Sequence, residues 1–326
     1  MDDRPSLLVR EPAGARSAER IDRFVAALAA GHPEFRVLTW DQAADDGVLA
    51  SCRVLLTQQL RIEELDAVPH LQFLQSQTTG VDHLPLAALE KRSVWVANAA
   101  GTSATEIAEF VLARILEDAK RLPEFAEAQQ RRRWTPMYGS GLRGVEVLLL
   151  GYGAINQEVA RLLSVFAASV RVIRRRPSDR PGPGVVAEHA NGDLDDLLGR
   201  AAVVVCAVPE GPGTRGLLNA RRLSRLRDGA LVVNVGRGSV LDEAALAVEC
   251  AAGRIRAALD VFTIEPLAEA SALWSTPGIR ISAHSASVPA LALEEVERLF
   301  RTNLTRFLRG DHLVNQVSGP LGPEKE

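Results

Sequence analysis

Three short segments in the second half of the chain hold the residue types that proton and hydride transfer require. Asn234-Val235-Gly236-Arg237-Gly238 places an arginine between two glycines after a strand-like apolar run. Asp260-Val261-Phe262-Thr263-Ile264-Glu265-Pro266-Leu267 places a glutamate before a proline, whose ring stiffens the loop. Ser282-Ala283-His284-Ser285 places a histidine just after a strand. An arginine fork can pair with the carboxylate of a keto acid and polarise its carbonyl. As hydride arrives, the carbonyl oxygen becomes an alkoxide and needs a proton, which histidine can give near neutral pH. A glutamate beside that histidine favours its charged form and fixes its tautomer. His32, His70, His83, His189 and His312 fall in helix ends, loops or the tail. One such residue alone is more often structural. Arg237, Glu265 and His284 together, at three strand ends of one sheet, describe a dehydrogenase site.

The element that would seat the hydride carrier is Val147 to Asn156. An apolar run of buried-strand length breaks at Gly151-Tyr152-Gly153-Ala154-Ile155-Asn156, and a helix-like run follows from Gln157 to Phe166. Strand, glycine turn and helix put bare backbone N–H groups and the positive helix end against a pyrophosphate. Gly151 permits the turn, and Gly153 lets the backbone approach the phosphates. Asn156 stands where the third glycine of G-x-G-x-x-G normally allows close helix–strand packing, so a slightly displaced helix is expected. The next strand, Ser169 to Ile173, ends in Arg174-Arg175-Arg176-Pro177, where an NAD site keeps an acid for the ribose hydroxyl. A carboxylate repels a 2′-phosphate and guanidinium forks pair with one, so Arg174 and Arg175 favour NADP(H) over a plain solvated charge run. Val208, Pro209 and Thr214 after one later strand, and Val235 and Gly236 after another, are further candidate cofactor contacts.

The remaining chain supplies the frame. Strand-like and helix-like patterns alternate: strands Ser6–Val9, Phe35–Thr39, Arg53–Thr57, Leu71–Gln75 and Val94–Asn98, with a helix from Ser17 to Ala30. A long helix opens near Gly101, capped by Thr102 or Ser103, and runs to about Lys120. Residues 131–144 read as a polar crossing, and five or six strands follow Gly144. The last helix, Leu291 to Phe307, is expected to return to the first domain. The prediction is an α/β protein of two domains, each a parallel sheet with helices on both faces. A Rossmann-type dinucleotide domain, 101–287, is inserted into a flavodoxin-like substrate domain, 1–100 and 288–326. The loop Ser76 to Asp82, at a strand's carboxyl end, is where such sheets place ligands.

At 326 residues and net charge −3, the chain has size for two cores and no field that suggests nucleic acid or membrane. Its apolar runs are too short to span a bilayer, and Met1-Asp2-Asp3-Arg4-Pro5 lacks a signal-peptide pattern, so a cytoplasmic location is expected. Cys52, Cys206 and Cys250 are odd in number and widely spaced, read as buried small residues with no disulfide framework and no metal site. The tail after Ser318 is expected to be disordered.

The ordered set GYGAIN, NVGRG, DVFTIEPL and the His284 strand end, with TTGVDHL upstream, resembles the D-isomer-specific 2-hydroxyacid dehydrogenase family from about Val54 to His284. That resemblance implies that Arg237 binds and polarises a 2-keto acid, that His284 exchanges its proton, and that Glu265 is its partner. It further implies that Asp260 lies near the nicotinamide carboxamide and that Thr79 and Gly80 offer backbone N–H groups to the substrate carboxylate. A homodimer formed through the nucleotide domains is implied as well. Three positions depart from the family pattern: Asn156 for glycine, Arg174 for the usual acid, and Ala283 for a proline, which would loosen the histidine loop. The resulting expectation is an NADP(H)-preferring reductase of a small glyoxylate- or hydroxypyruvate-like acid, with NAD also possible. Phosphoglycerate-, formate- and phosphite-type dehydrogenases are alternatives within the fold, and a nicotinamide-sensing corepressor-like protein is the alternative outside catalysis.

Overall fold

The computed structural model describes residues 4–10 and 18–320. The expected helix start at Ser17 and the tail from 321 onward lie outside the described residues. In chain order, the first elements are β1 (Ser6–Val9), α1 (Ala18–Gly31), β2 (Arg36–Thr39), α2 (Trp40–Asp45), β3 (Cys52–Thr57), β4 (Phe73–Ser76), α3 (Leu86–Lys91) and β5 (Trp95–Ala97). Then come α4 (Ala104–Ala119), α5 (Leu122–Gln130), β6 (Glu146–Leu150), α6 (Ala154–Ser164), β7 (Ser169–Ile173), β8 (Val185–His189), α7 (Leu194–Leu198) and β9 (Val203–Cys206). The chain continues through α8 (Ala220–Leu223), β10 (Leu231–Asn234), α9 (Glu243–Ala251), β11 (Arg256–Leu259), β12 (Ile279–Ile281), α10 (Pro289–Arg309) and β13 (Gln316–Ser318). Two compact units result, one from Met1–Thr102 with Ala290–Glu326 and one from Ser103–Pro289.

In the first unit the sheet order is β13-β5-β4-β3-β1-β2. Its five parallel strands follow the 2-1-3-4-5 order of flavodoxin-like sheets. Alternation along each strand decides which layer each residue meets. Leu7, Val9, Val54, Leu56 and Phe73 pack with Phe24 and Leu28 of α1 and with Val296, Phe300, Leu304 and Phe307 of α10. Leu8, Leu55, Leu74 and Val96 turn to the other face, against Ala43 of α2 and Leu89 of α3. The spacing of the four α10 residues makes one apolar stripe on a 21-residue helix, which is why it closes this layer. An all-parallel sheet needs correction here: β13 pairs antiparallel with β5, through Gln316↔Ala97. Three residues of mixed polarity carry too little periodicity to announce such an edge strand.

Counting β6 as the first strand of the second unit, its seven-stranded sheet runs 3-2-1-4-5-6-7, the doubly wound order with one strand added. The seventh is β8, an edge strand of half-exposed residues that the five or six expected strands did not include. Leu148, Leu150, Val204, Cys206 and Val232 face α7, α8 and α9, whereas Val147, Leu149, Val203, Val205 and Val233 face α4 and α6. Both faces are covered, as the near-continuous apolar strands require. One local expectation differs. Ser103 makes no side-chain capping bond, and Thr102 Oγ1 donates instead to the Ala99 carbonyl at 2.9 Å. The segment after Lys120 folds as a second helix, α5, because Arg121 breaks α4 with a left-handed backbone (φ 58°) and Pro123 starts the next turn. Cys52, Cys206 and Cys250 are buried free thiols, and burial pushes Cys206 up to about 12 and Cys250 up to about 11. No helix of the described residues is long and apolar enough to cross a membrane.

Candidate active site

The site is assembled on three neighbouring strands. β10, β11 and β12 are parallel and in register, with Asn234 opposite Leu259 and Leu259 opposite Ile281. Their following loops therefore leave the sheet at one level, side by side. Buried Asn234 shapes the first loop: its Oδ1 accepts from the Gly236 N–H at 3.1 Å and its Nδ2 donates to the Arg237 carbonyl at 3.0 Å. A Cβ on Gly238 would stand 1.8 Å from the carbonyl carbon of Phe262, so this loop rests on the backbone of the next. Arg237 thus sits on a loop locked against the loop that carries Glu265, and its Nη1 donates to the Gly236 carbonyl at 2.9 Å.

Glu265 and His284 meet. The His284 Nδ1 lies 2.8 Å from Glu265 Oε2, while Glu265 Oε1 accepts the Phe262 backbone N–H at 2.9 Å. The acid is thereby oriented before it orients the ring. A carboxylate at Nδ1 assigns the proton of the neutral ring to that nitrogen and leaves Nε2 as the acceptor. The histidine side chain is 58% exposed, so Nε2 is reachable.

The histidine loop is held by Asp260, which is 2% exposed. Its Oδ1 accepts from Ser282 Oγ at 2.6 Å and from the Ser285 N–H at 3.0 Å, its Oδ2 from the Ala286 N–H at 3.0 Å, and its carbonyl from the His284 N–H at 2.8 Å. These bonds keep His284 in a left-handed backbone conformation, φ 48°, that a residue with a side chain seldom adopts. The loosening expected from Ala283 is met by this set of bonds.

The second part of the site is a crest formed by the ends of β6, β9 and β10. Gly151 has φ +85°, and a Cβ there would come within 2.7 Å of Val208 Cγ1. A Cβ on Gly236 would lie 2.8 Å from the Val208 carbonyl. Val235 is buried beside it, and Thr214 Oγ1 holds the Pro209 carbonyl at 2.6 Å. Gly153 has open space around it and begins an 11-residue helix with no side-chain cap. The N–H groups of Ala154 and Ile155 find no acceptor among the described residues. Asn156 holds this helix to the sheet. Fully buried, it donates from Nδ2 to the carbonyls of Leu150 and Gly151, both at 2.9 Å, and so ties helix to strand. Its Oδ1 is left buried without a partner among the described residues. Bare N–H groups and an open glycine at one helix start fit a bound dinucleotide.

At the end of β7, Arg174 is half-buried and paired. Its Nη1 pairs with Glu188 Oε2 at 3.3 Å, and its guanidinium lies 5.7 Å from the centre of the Tyr152 ring. Arg175 is exposed. The carboxylate absent from the β7 run comes from β8, where Glu188 sits opposite Val172. The sequence carries little sign of it, because Val185–His189 is a part-exposed edge strand without clean alternation. In the first unit, Thr79 and Gly80 lie in the loop after β4, held by Asn98 Nδ2 on the Thr79 carbonyl (2.8 Å) and by Thr78 Oγ1 on the Gly80 carbonyl (2.7 Å). Their own N–H groups have no acceptor among the described residues.

A glycine turn at the first strand of a doubly wound sheet, with an acid-held histidine at neighbouring strand ends, defines a nicotinamide-dependent dehydrogenase. Residues 112–286 match the model of the D-isomer specific 2-hydroxyacid dehydrogenase, NAD binding domain. A glyoxylate reductase of Thermofilum pendens is 31% identical over 266 residues, 79% of this chain and 78% of that one. A D-3-phosphoglycerate dehydrogenase of Mycobacterium bovis is 29% identical over 78% of this chain, which spans about half (48%) of its length. The crystal structure of a D-isomer specific 2-hydroxyacid dehydrogenase from Xanthobacter autotrophicus Py2, in complex with NADPH and MES, aligns with TM-score 0.82 and 30% identity over 96% of this chain and 98% of that one. The chain belongs to the D-isomer specific 2-hydroxyacid dehydrogenase family, and is an oxidoreductase.

Replacing Asp260 by Asn sets an amide donor against donors that now face a carboxylate. Unfolding by denaturant should show a loss of about 2 kcal/mol, and kcat should fall roughly tenfold or more as the histidine loop shifts. An unchanged kcat would remove Asp260 from the support of His284.

Proposed function

We propose that the protein reduces a small 2-keto acid, of glyoxylate or hydroxypyruvate type, to the D-2-hydroxy acid with NADPH as the preferred donor. The observation that carries this reading is the 2.8 Å contact between His284 and Glu265, at strand ends level with the Arg237 loop. NADPH supplies the hydride from C4 of its nicotinamide ring. Gly151, Tyr152, Gly153, Ala154, Ile155 and Asn156 would take the pyrophosphate, with Val208, Pro209, Thr214, Val235 and Gly236 lining the crest beyond. Arg174, with Arg175, would take the 2′-phosphate.

On the substrate side, Arg237 pairs with the keto acid and draws electron density from its carbonyl. His284 gives a proton from Nε2 to the oxygen as negative charge develops there. Glu265 holds the ring and offsets the charge of the imidazolium before that transfer. Asp260 fixes the loop on which the ring is mounted. The resemblance assigns the substrate carboxylate to the N–H groups of Thr79 and Gly80, whose lack of other acceptors agrees with it. A homodimer formed through the nucleotide-binding unit and a cytoplasmic location belong to the same reading. Trp134 and Tyr138, 98% and 88% exposed, give that unit apolar surface for a second copy. Sedimentation equilibrium showing a monomer would remove the dimer.

The similarity to phosphoglycerate dehydrogenases makes the substrate panel the first experiment. Purified protein with NADPH or NADH should turn over glyoxylate or hydroxypyruvate faster than 3-phosphohydroxypyruvate, formate or phosphite, and faster with NADPH. No turnover of any of these acids would favour a nicotinamide-sensing protein. His284→Ala should lower kcat by roughly 10²–10⁴-fold while calorimetry shows NADPH still bound. A kcat that stays the same takes His284 out of the chemistry.

A further inference from the structure

The end of β7 is where a doubly wound sheet reads the adenosine ribose. Arg174 replaces the acid expected there, yet negative charge has not left the place. Glu188, one strand over on β8, has a side chain only 2% exposed. Its Oε2 accepts from Arg174 Nη1 at 3.3 Å and from the Ser178 backbone N–H at 2.8 Å. Tyr152, from the glycine turn, lies 5.7 Å from the same guanidinium and presses its ring on Gly182, where a Cβ would meet the phenolic oxygen. The remaining guanidinium N–H groups of Arg174 have no acceptor among the described residues, and its side chain is 38% exposed.

From this cluster we infer that Glu188 is a specificity-determining residue that limits the preference for NADPH over NADH. The inference rests on the reading that Arg174 meets the 2′-phosphate. Glu188 acts in two opposed ways. It holds Arg174 in place, which spares part of the ordering of one long side chain. It also keeps a buried, weakly screened carboxylate 3.3 Å from the guanidinium that would meet a group of nearly two negative charges. The second effect is the larger, because charge repulsion across a few ångströms of poorly screened space exceeds the gain from ordering one side chain. The site therefore keeps an acid that an NADH site uses, displaced by one strand, beside a cation that an NADPH site uses.

The test is calorimetric binding of NADPH and NADH to the full chain and to Arg174→Gln and Glu188→Gln variants. Arg174→Gln should lower the ratio of NADPH to NADH affinity by roughly tenfold or more. Glu188→Gln should raise that ratio by roughly three- to tenfold, through tighter NADPH binding with NADH nearly unchanged. If Arg174→Gln leaves the ratio alone, the 2′-phosphate reading itself fails. If Arg174→Gln lowers it and Glu188→Gln leaves it unchanged, lowers it, or moves both cofactors equally, that reading stands and the role of Glu188 is overturned. The unaltered protein gives a second measurement should Glu188→Gln not fold. Its affinities for NADPH and NADH should differ by less than about a hundredfold, and a larger difference contradicts a tempered cation.

Discussion

The structure around the site depends on one constraint: a histidine that projects from a loop must be held still by acids that are themselves held. Glu265 receives the Phe262 N–H on one oxygen and the His284 ring on the other. Asp260 receives a hydroxyl and two backbone N–H groups from the histidine loop, buried at 2% exposure. Without these bonds a left-handed backbone at His284 would relax toward the right-handed or extended regions that side chains favour. Nε2 would then move with it, and for a group that transfers a proton a displacement of about an ångström is enough to reduce catalysis.

Placement of these groups follows from packing more than from the loops. Parallel pairing in register brings the ends of β10, β11 and β12 to one level. Gly238 lets the arginine loop lie directly on the backbone at Phe262, and Gly151 and Gly236 let two further loops close on Val208. Each of these contacts excludes even one methyl group, so the Arg237 loop and the Gly151 turn have fixed positions relative to the sheet. Side chains from the apolar layers on both faces keep that sheet rigid.

What could be read in the chain beforehand was whatever leaves a periodic or chemical mark. Val147–Leu150 followed by two glycines, the strand-end arginine, glutamate and histidine, and the apolar stripe of the last helix all do so, and all emerge in the elements expected. β8 and β13 left little trace, because an edge strand with half-exposed residues shows neither a continuous apolar run nor clean alternation. Missing β8 hid Glu188, so Arg174 looked like an uncompensated cation. Asn156 was legible only as a lost glycine. Its two bonds to the strand end, which replace close packing with a tie, arise from three-dimensional neighbours that spacing cannot reveal. The triple role of Asp260 was hidden in the same way, since its partners lie more than twenty residues downstream.

If Glu265 acts only through His284, the two form one functional unit, and units of this kind are not additive. The decisive measurement is a double-mutant cycle on kcat for 2-keto acid reduction, with Glu265→Gln, His284→Ala and the pair together. The account predicts that the double variant is no slower than His284→Ala by itself. Losses that multiply, with the double variant slower by the product of the two single effects, would contradict it.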